Sequence, residues 1–429
     1  MPSMDRIRSR FPALAREVNG HPVAYFDGPG GTQVPESVAD AVRGYLLERN
    51  ANDGWNYATS RETDEVLHAG RAAMADLLGG RPEEIAFGQN MTTLTLRVSR
   101  ALGLRMEAGD EVVVTELDHH ANVDPWKALA RERGVTVKVA RMDPGSGTLD
   151  MEDLEAQLGP RTRVLAIGAA SNALGTITDV AAAAARARAV GALVYVDAVH
   201  YAPHSLPDAA ALDADFLVVS PYKFYGPHLG ALWGRTALLE ELDLPRVESA
   251  PAGAPERVET GTLSFEAIAG ATAAVAFLAS LADDDATGGA GPLPDARDRR
   301  RRLARSFDAL HHRGDTLFRR LWDGMNGIDG VTTFGVEPGG ARTPTLGFAI
   351  EGVDPRDAAG DLAEKALFLS HGDFYATTVI RRLGYGGRGI LRAGCAAYTT
   401  EAEVDRLVEG VGELAGRGKA SLAGARRLP

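Results

Sequence analysis

The sequence predicts an α/β protein built on a mostly parallel sheet, with a smaller α+β domain toward its C-terminal end. From about residue 65 to about residue 235, short apolar runs alternate with helical patterns, as in a sheet whose strands are joined by crossover helices. From about residue 300 the pattern changes to a long charged helix, followed by Thr345-Leu346-Gly347-Phe348-Ala349-Ile350 and by Gly389-Ile390-Leu391-Arg392-Ala393-Gly394-Cys395. At 429 residues, 45% of them hydrophobic, the chain can bury a sizeable core and is long for a single domain.

In the first region Glu111-Val112-Val113-Val114, the run Val164 to Ser171, Val194-Tyr195-Val196-Asp197-Ala198 and Asp215-Phe216-Leu217-Val218-Val219 read as strands. Val180 to Ala189, almost pure alanine and arginine, reads as a crossover helix because alanine carries the least helix penalty. The six arginines between Arg297 and Arg305 follow the Asp/Gly/Pro-rich segment Asp283 to Pro294, and read as the solvated face of a helix leaving a linker. The expected division is an N-terminal segment 1–30 packing with the small domain, a large domain 31–285, a linker 286–296, a small domain 297–415 and a tail 416–429 that frays. No internal repeat is present.

No apolar stretch reaches the roughly 18 to 20 residues that span a bilayer, so no membrane association is expected. The first residues lack the apolar stretch of a secretion signal, and a single cysteine excludes an internal disulfide framework. The cytoplasm is the expected compartment. A net charge of −12 argues against general affinity for nucleic acid.

The chemistry is carried by polar residues at the carboxyl ends of these runs, where open α/β sheets place their ligands. Lys223 lies in Ser220-Pro221-Tyr222-Lys223-Phe224-Tyr225-Gly226-Pro227, directly after one strand, with Asn172 closing a second and Asp197 a third. A lysine so placed can form a Schiff base with an aldehyde cofactor, and the three together read as a pyridoxal phosphate site. Gly88-Gln89-Asn90-Met91-Thr92-Thr93 precedes a helix, so its N–H groups and the Thr92 hydroxyl either bind an anion or simply cap that helix. His119 and His120 are adjacent, hence not on one helical face, and no third ligand has a suggestive spacing. Metal is therefore not expected, and His119 reads as an imidazole lying over a pyridine ring.

The series Asp118-His119-His120-Ala121-Asn122 with Pro125-Trp126, Ser171 to Thr176, Asp197, Ser220 with Lys223 to Pro227, and Arg392 with Tyr398 resembles the class V aminotransferases, and within them the cysteine desulfurases. The resemblance runs from about Tyr25-Phe26-Asp27-Gly28 to about Leu407. It implies fold type I, with a mostly parallel seven-stranded sheet in the large, cofactor-binding domain. It further implies that Lys223 binds the cofactor and shuttles protons, and that Asp197 pairs with the pyridine nitrogen. Asn172 would bond the phenolic oxygen. Thr92, Ser220 and the Met91 amide would hold the phosphate, and Arg392 would clamp the α-carboxylate of an amino-acid substrate. A threonine from a partner subunit reaches the phosphate in that family. Thr262 stands at that position, which implies a homodimer with shared sites.

The departures are equally informative. His200 replaces a glutamine, Tyr222 replaces a histidine, and the stretch Leu369 to Ala376 lacks the nucleophilic cysteine that takes sulfur from substrate. Cys395 lies three residues beyond Arg392 in a small-domain strand and reads as a buried, inert thiol. The chain therefore resembles the branch of the family without the catalytic cysteine. The expected reaction passes through a Cα carbanion and cleaves a carbon–sulfur or similar Cβ bond, with His371, Asp373 and Tyr375 as loop groups near the leaving group. Transamination and epimerisation share the first step and stand as alternatives, as does a non-catalytic dimer that has kept the fold. Asn52 to Tyr57 and Arg61 read either as a wall of the substrate entrance or as plain surface.

Overall fold

The computed structural model describes residues 2–282 and 296–425. The expected linker, apart from Ala296, lies outside the described residues. Seven strands form one sheet: β1 (Ile85–Gly88), β2 (Glu111–Thr115), β3 (Thr136–Ala140), β4 (Thr162–Gly168), β5 (Leu193–Asp197), β6 (Phe216–Val219) and β7 (Gly230–Gly234), in the order β1-β7-β6-β5-β4-β2-β3. Strand β7 runs antiparallel to both of its neighbours, and every other pairing is parallel.

A parallel sheet must be covered on both faces, which is why its strands read as continuous apolar runs rather than alternating ones. Val112, Val114, Val164, Ala166, Phe216 and Val218 enter one apolar cluster, and their sequence neighbours Val113, Leu165, Ile167, Val194, Leu217 and Val219 enter the other. Helices α1 (Ala58–Leu78), α2 (Met91–Gly103), α3 (Asp124–Arg133), α4 (Val180–Ala189) and α5 (Phe265–Ser280) supply the covers. Leu94 and Val98 of α2 and Trp126 of α3 lie on the first side, and Met74, Ala183 and Phe277 of α1, α4 and α5 lie on the second. Helix α4 occupies the span that its alanine run predicts, and Asp179 caps its start by accepting the Ala182 N–H.

The C-terminal part contains α6 (Ala296–Asn326), β8 (Val331–Phe334), β9 (Thr345–Ile350), β10 (Ser370–Gly372), β11 (Ile390–Gly394) and α7 (Glu401–Ala425). Its four strands form an antiparallel sheet in the order β8-β9-β11-β10. Leu346, Phe348 and Ile350 of β9 pack beneath Leu317, Leu321 and Met325 of α6 and Val404, Leu407 and Val411 of α7. Residues Ala24–Tyr25 of the N-terminal segment pair in parallel with Leu367–Phe368. Phe11 meets Tyr225, Phe277 and Tyr398 edge-on at 5.8, 5.3 and 5.0 Å between ring centroids, so that segment touches α5 as well as the C-terminal part.

Two expectations are corrected. The arginine cluster is not simply a solvated face. Arg299 is buried and pairs with Asp76 at 2.6 Å, while Arg300 donates to the carbonyls of Asp76, Leu77 and Pro207. These contacts fasten α6 onto the end of α1, where α-helix carbonyls lack intrahelical partners. The stretch expected to fray after residue 416 is helical as far as Ala425, because Leu414, Ala415 and the buried Gly418 still pack inward.

Phe348 is fully buried at the centre of the small sheet. Phe348→Ala is expected to cost about 3–5 kcal/mol through lost burial and the cavity left behind, seen as a lower urea midpoint with the tryptophan signal. An unchanged midpoint would show that the small sheet is not centred on this ring.

Candidate active site

Strands β4, β5 and β6 end side by side, and the turn after each carries a polar group into one cavity of about 80 Å³. Asn172, Asp197, His200, Ser220, Tyr222 and Lys223 line it from these three strand ends, and Met91, Thr92 and His119 line it from the start of α2 and the turn after β2. All nine were named as cofactor residues from the sequence. Lys223 occupies a 3-10 turn, Pro221–Lys223, whose last N–H bonds the Ser220 carbonyl at 3.0 Å. That turn aims the amine at the carbonyls of Pro29 and Gly30, and the second of these bonds is 3.0 Å long.

The start of α2 resolves the choice between anion site and cap. Asn90 is the cap, since its side chain accepts the Thr93 N–H at 2.9 Å and Thr93 Oγ1 accepts the Asn90 N–H at 3.3 Å. Thr92 is thereby left free to line the cavity, touching only the Met91 sulfur at 3.5 Å, and the Met91 N–H donates to Ser220 Oγ at 3.3 Å. A helix N-terminus with its cap supplied elsewhere and two hydroxyls beside it can bind an anionic group.

Burial sets the charges. The Lys223 amine is pushed down to about 7 by burial and by Arg392, against the pull of Asp27 and Asp197. Asp197 is pushed up to about 6 by burial, although its Oδ1 accepts the Val199 N–H at 2.9 Å. His119 falls to about 4, again chiefly through burial. It is neutral, and because its Nδ1 accepts the Ala121 N–H at 3.0 Å, the ring proton resides on Nε2. The turn holding it is fixed by buried Asp118, which accepts from Thr115 Oγ1 at 2.5 Å and from Asn122 Nδ2 at 2.8 Å.

Arg392 comes from β11 of the small sheet and reaches the large one. It donates to the Asn172 carbonyl at 2.9 Å and to Ser370 Oγ at 3.2 and 3.0 Å, and Asp27 lies 3.6 Å away. Over its face, 4.2 Å from the ring centroid, lies Phe374. Phe374 and Tyr375 both adopt left-handed backbone conformations, with φ of 56° each. They belong to a strap from Gly372 to Ala376 that is pinned at two points, Asn172 Nδ2 to the Phe374 carbonyl at 2.8 Å and the His120 N–H to the Tyr375 carbonyl at 2.7 Å. The Tyr375 ring is exposed and lies 5.5 Å from that of His119.

The remaining residues named from the sequence fall elsewhere. His371 is exposed on an open cleft beside Arg356 and Arg388, outside the cavity. Thr262 is exposed and does not line the cavity of its own chain. Trp55 and Tyr57 are exposed, and Arg61 donates to the Asn56 carbonyl. Sequence reasoning did not single out Asn90, Ser370 or Phe374. The S/N-x-x-T cap pattern could have found Asn90, but nothing in the sequence marks Ser370 or Phe374. Among the described residues no group of three or more His, Cys, Asp or Glu could hold a metal ion. No helix among them is long and apolar enough to cross a membrane.

The cavity suits pyridoxal phosphate in its donors and acceptors. Asn172 Oδ1 and His200 Nδ1 are buried without any hydrogen-bond partner, which is unusual for buried polar atoms unless a ligand completes them. The family model for class V aminotransferases matches residues 24–287 and 303–407. A cysteine desulfurase of Serratia proteamaculans is 31% identical over 424 residues, covering 95% of this chain and 97% of that protein. An uncharacterized protein of Mycobacterium tuberculosis is 31% identical over 411 residues, covering 95% and 98%. Among solved structures, the apo cysteine desulfurase of Thermococcus onnurineus superposes with a TM-score of 0.84 at 25% identity, covering 97% of this chain and all of that one. A cysteine desulfurase of Escherichia coli superposes with a TM-score of 0.81 at 27% identity, covering 96% and 98%. With the fold, the cavity and these matches in agreement, the chain belongs to the class V aminotransferase family, as a cysteine desulfurase-like, pyridoxal phosphate-dependent enzyme of fold type I.

Proposed function

We propose that this enzyme acts on a free α-amino acid and cleaves a carbon–sulfur or similar bond at Cβ by elimination, without forming a protein persulfide. The observation that carries the reading is the strap: Phe374 and Tyr375 cover the site, and no cysteine stands anywhere from Leu369 to Ala376. Cys395 is buried, and its thiol is pushed up to about 12 by burial, so it is a poor nucleophile.

Lys223 would hold the cofactor, Asp197 would pair with its pyridine nitrogen, Asn172 and His200 would hydrogen-bond its phenolic group, with Asn172 Oδ1 as an acceptor, and Thr92, Ser220 and the Met91 N–H would bind its phosphate. Bound there, pyridoxal phosphate supplies an electron sink for the charge left on the substrate Cα. Arg392 orients the substrate by its carboxylate, with Ser370 and the Asn172 carbonyl fixing the guanidinium plane. The Lys223 amine removes the Cα proton. The Cβ–S bond then breaks with its electron pair on sulfur, which is protonated to a thiol, and the Tyr375 hydroxyl is the donor at hand, while neutral His119 offers its Nε2–H only as a hydrogen bond. Transamination or epimerisation requires the proton to return to carbon instead.

A screen of amino acids and their S-conjugates tests this reading. The expected outcome is a thiol, a 2-oxo acid and ammonium in equal amounts, with one water consumed, from one class of substrate, with the corresponding amide inert, Arg392→Lys raising KM by about 10-fold or more, and Cys395→Ser unchanged. Accumulation of a persulfide on Cys395 with L-cysteine, or an amide that turns over as well as its acid, would contradict it.

A homodimer with shared sites is part of the same proposal and rests on Thr262. The turn bearing Thr262 is rooted through Glu259, which accepts from Arg71 at 3.0 Å and from the Phe87 N–H at 2.8 Å, while Thr262 itself projects outward. It is offered to the phosphate of a second copy. Sedimentation should give twice the chain mass, and Thr262→Ala should weaken cofactor retention by about 10-fold; a monomer with full retention refutes the shared site.

The depressed Lys223 has a kinetic consequence. Only the neutral amine attacks an aldehyde, so the rate at which cofactor-free protein captures pyridoxal phosphate should rise with pH through about 7 and level off above about pH 8. Without the shift, the rate would climb toward the ordinary lysine value of 10.5. Stopped-flow absorbance distinguishes the two profiles.

A further inference from the structure

Behind the cofactor cavity lies a second, smaller cavity of about 20 Å³. Five segments meet around it: α6 with His311, Arg313 and Asp315, the Arg342–Pro344 approach to β9, the Cys395–Ala397 turn after β11, Pro203–His204 and Tyr225. Arg342 is buried, 4% exposed, with Nη2 donating to the carbonyls of Leu174 and Thr345 at 3.1 and 2.5 Å and Nε donating to the Thr343 carbonyl at 3.2 Å. Its Nη1 has no partner, and neither has Nε of Arg313, whose Nη2 donates to the Thr399 carbonyl at 2.5 Å. No salt bridge joins either guanidinium to a carboxylate among the described residues. Asp315, the one acid on the cavity wall, is exposed and faces His311 at 3.4 Å; it attracts Arg342, and Glu401 attracts Arg313, without either acid forming a salt bridge to the guanidinium it attracts. Burial lowers the affinity of both arginines for their protons, Arg342 to about 9.

We propose that this cavity binds one small monovalent anion of chloride's size between the guanidiniums of Arg313 and Arg342. Two half-satisfied cations on one enclosed wall carry a desolvation cost that neutral donors and acceptors do not remove, and an anion removes it. A water molecule would fill the free N–H groups but leave the charge in place. The Phe318 ring, 3.4 Å from the Arg342 guanidinium carbon, shields one face and leaves the edge open to a ligand. The cavity has room for one or two water-sized species and none for a larger metabolite. His204, half-buried and neutral, and the Cys395 thiol add weak donors to the same wall.

The site has a structural consequence. Arg342 links Leu174, next to the cofactor cavity, with Thr343 and Thr345 at the head of β9. Thr343 Oγ1 in turn lies 3.1 Å from Nε2 of His200, and the His204 ring packs edge-on against His200 at 5.6 Å. The anion therefore fastens the seam between the two sheets from behind the cofactor cavity.

Crystals of the holoenzyme soaked in bromide, with data collected at the bromine absorption edge, test the assignment directly. An anomalous peak between the two guanidiniums is expected, and a water molecule alone at that position overturns the proposal. In solution, replacing gluconate by chloride at constant ionic strength should raise the thermal midpoint of the wild-type holoenzyme by about 1–3 °C, saturating with concentration. The rise should vanish in Arg313→Gln, the half-exposed partner chosen because Arg342 also supports the fold. A bromide peak without the chloride-dependent rise is an adventitious ion only and overturns the proposal, as does a rise that persists in Arg313→Gln.

Discussion

The bond from the Arg392 guanidinium to the Asn172 carbonyl makes two separate sheets into one site. Asn172 stands just beyond β4 of the large sheet and Arg392 on a central strand of the small one. A buried guanidinium must find acceptors for its N–H groups or lose several kcal/mol to desolvation. Arg392 finds them in Ser370, in Asn172 and in the nearby charge of Asp27, and it stays largely protonated at neutral pH although burial brings it down to about 10. The strap from Gly372 to Ala376 then rests on the same two residues, with Phe374 over the guanidinium and its carbonyl on the Asn172 amide. A shift of β11 would disturb the substrate side, the cofactor side and their cover together.

The same burial makes the charge balance legible as a whole. Asp197 and Asp118 are both buried and both pushed upward chiefly by that burial, Asp197 to about 6 and Asp118 to about 7, the second also by the charge of Asp197. Carboxylates raised in this way hold protons until an opposite charge arrives. The pyridinium expected beside Asp197 is such a charge, and Asp118, held by Thr115 and Asn122, can keep the remaining proton without moving. Lys223 sits in the opposite balance, depressed by burial and by Arg392. Its amine is available in neutral form at physiological pH because it is buried and, in smaller part, because the second cation stands near it.

The large sheet and its site were legible because parallel strands betray themselves twice. They bury both faces, so they appear as apolar runs, and they end where ligands bind, so the first polar residue after each run is a candidate. Lys223, Asp197 and Asn172 were found that way, Thr92 from its place before a helix and His119 from its imidazole, and the cavity residues Met91, His200, Ser220 and Tyr222 followed from family resemblance. What stayed hidden arises from contacts between distant segments. Ser370 and Phe374 acquire meaning only because β10 pairs with β11 and sets the strap against Arg392. Arg299 looks like its five neighbours in sequence, and only the crossing of α6 over the end of α1 separates it from them. Asn90 was overlooked for another reason: the hydroxyls beside it were equally good caps on paper, and main-chain geometry chose among them.

The strap also shows where strain is held. Left-handed backbone at a residue other than glycine costs about 1–2 kcal/mol, and Phe374 and Tyr375 adopt it in succession. Asp373 offsets part of that cost by accepting the Tyr375 N–H at 3.1 Å and the Thr377 hydroxyl at 2.8 Å, and the bonds from Asn172 and His120 offset more. Strain that persists under so many constraints argues for a required placement rather than an accident of loop closure. What it places is an aromatic face on Arg392 and a phenol beside His119. Neither can accept sulfur, but the first excludes water from a charged contact and the second can donate a proton. A cover of this composition fits an enzyme that releases its leaving group to solvent better than one that carries it away on its own side chain.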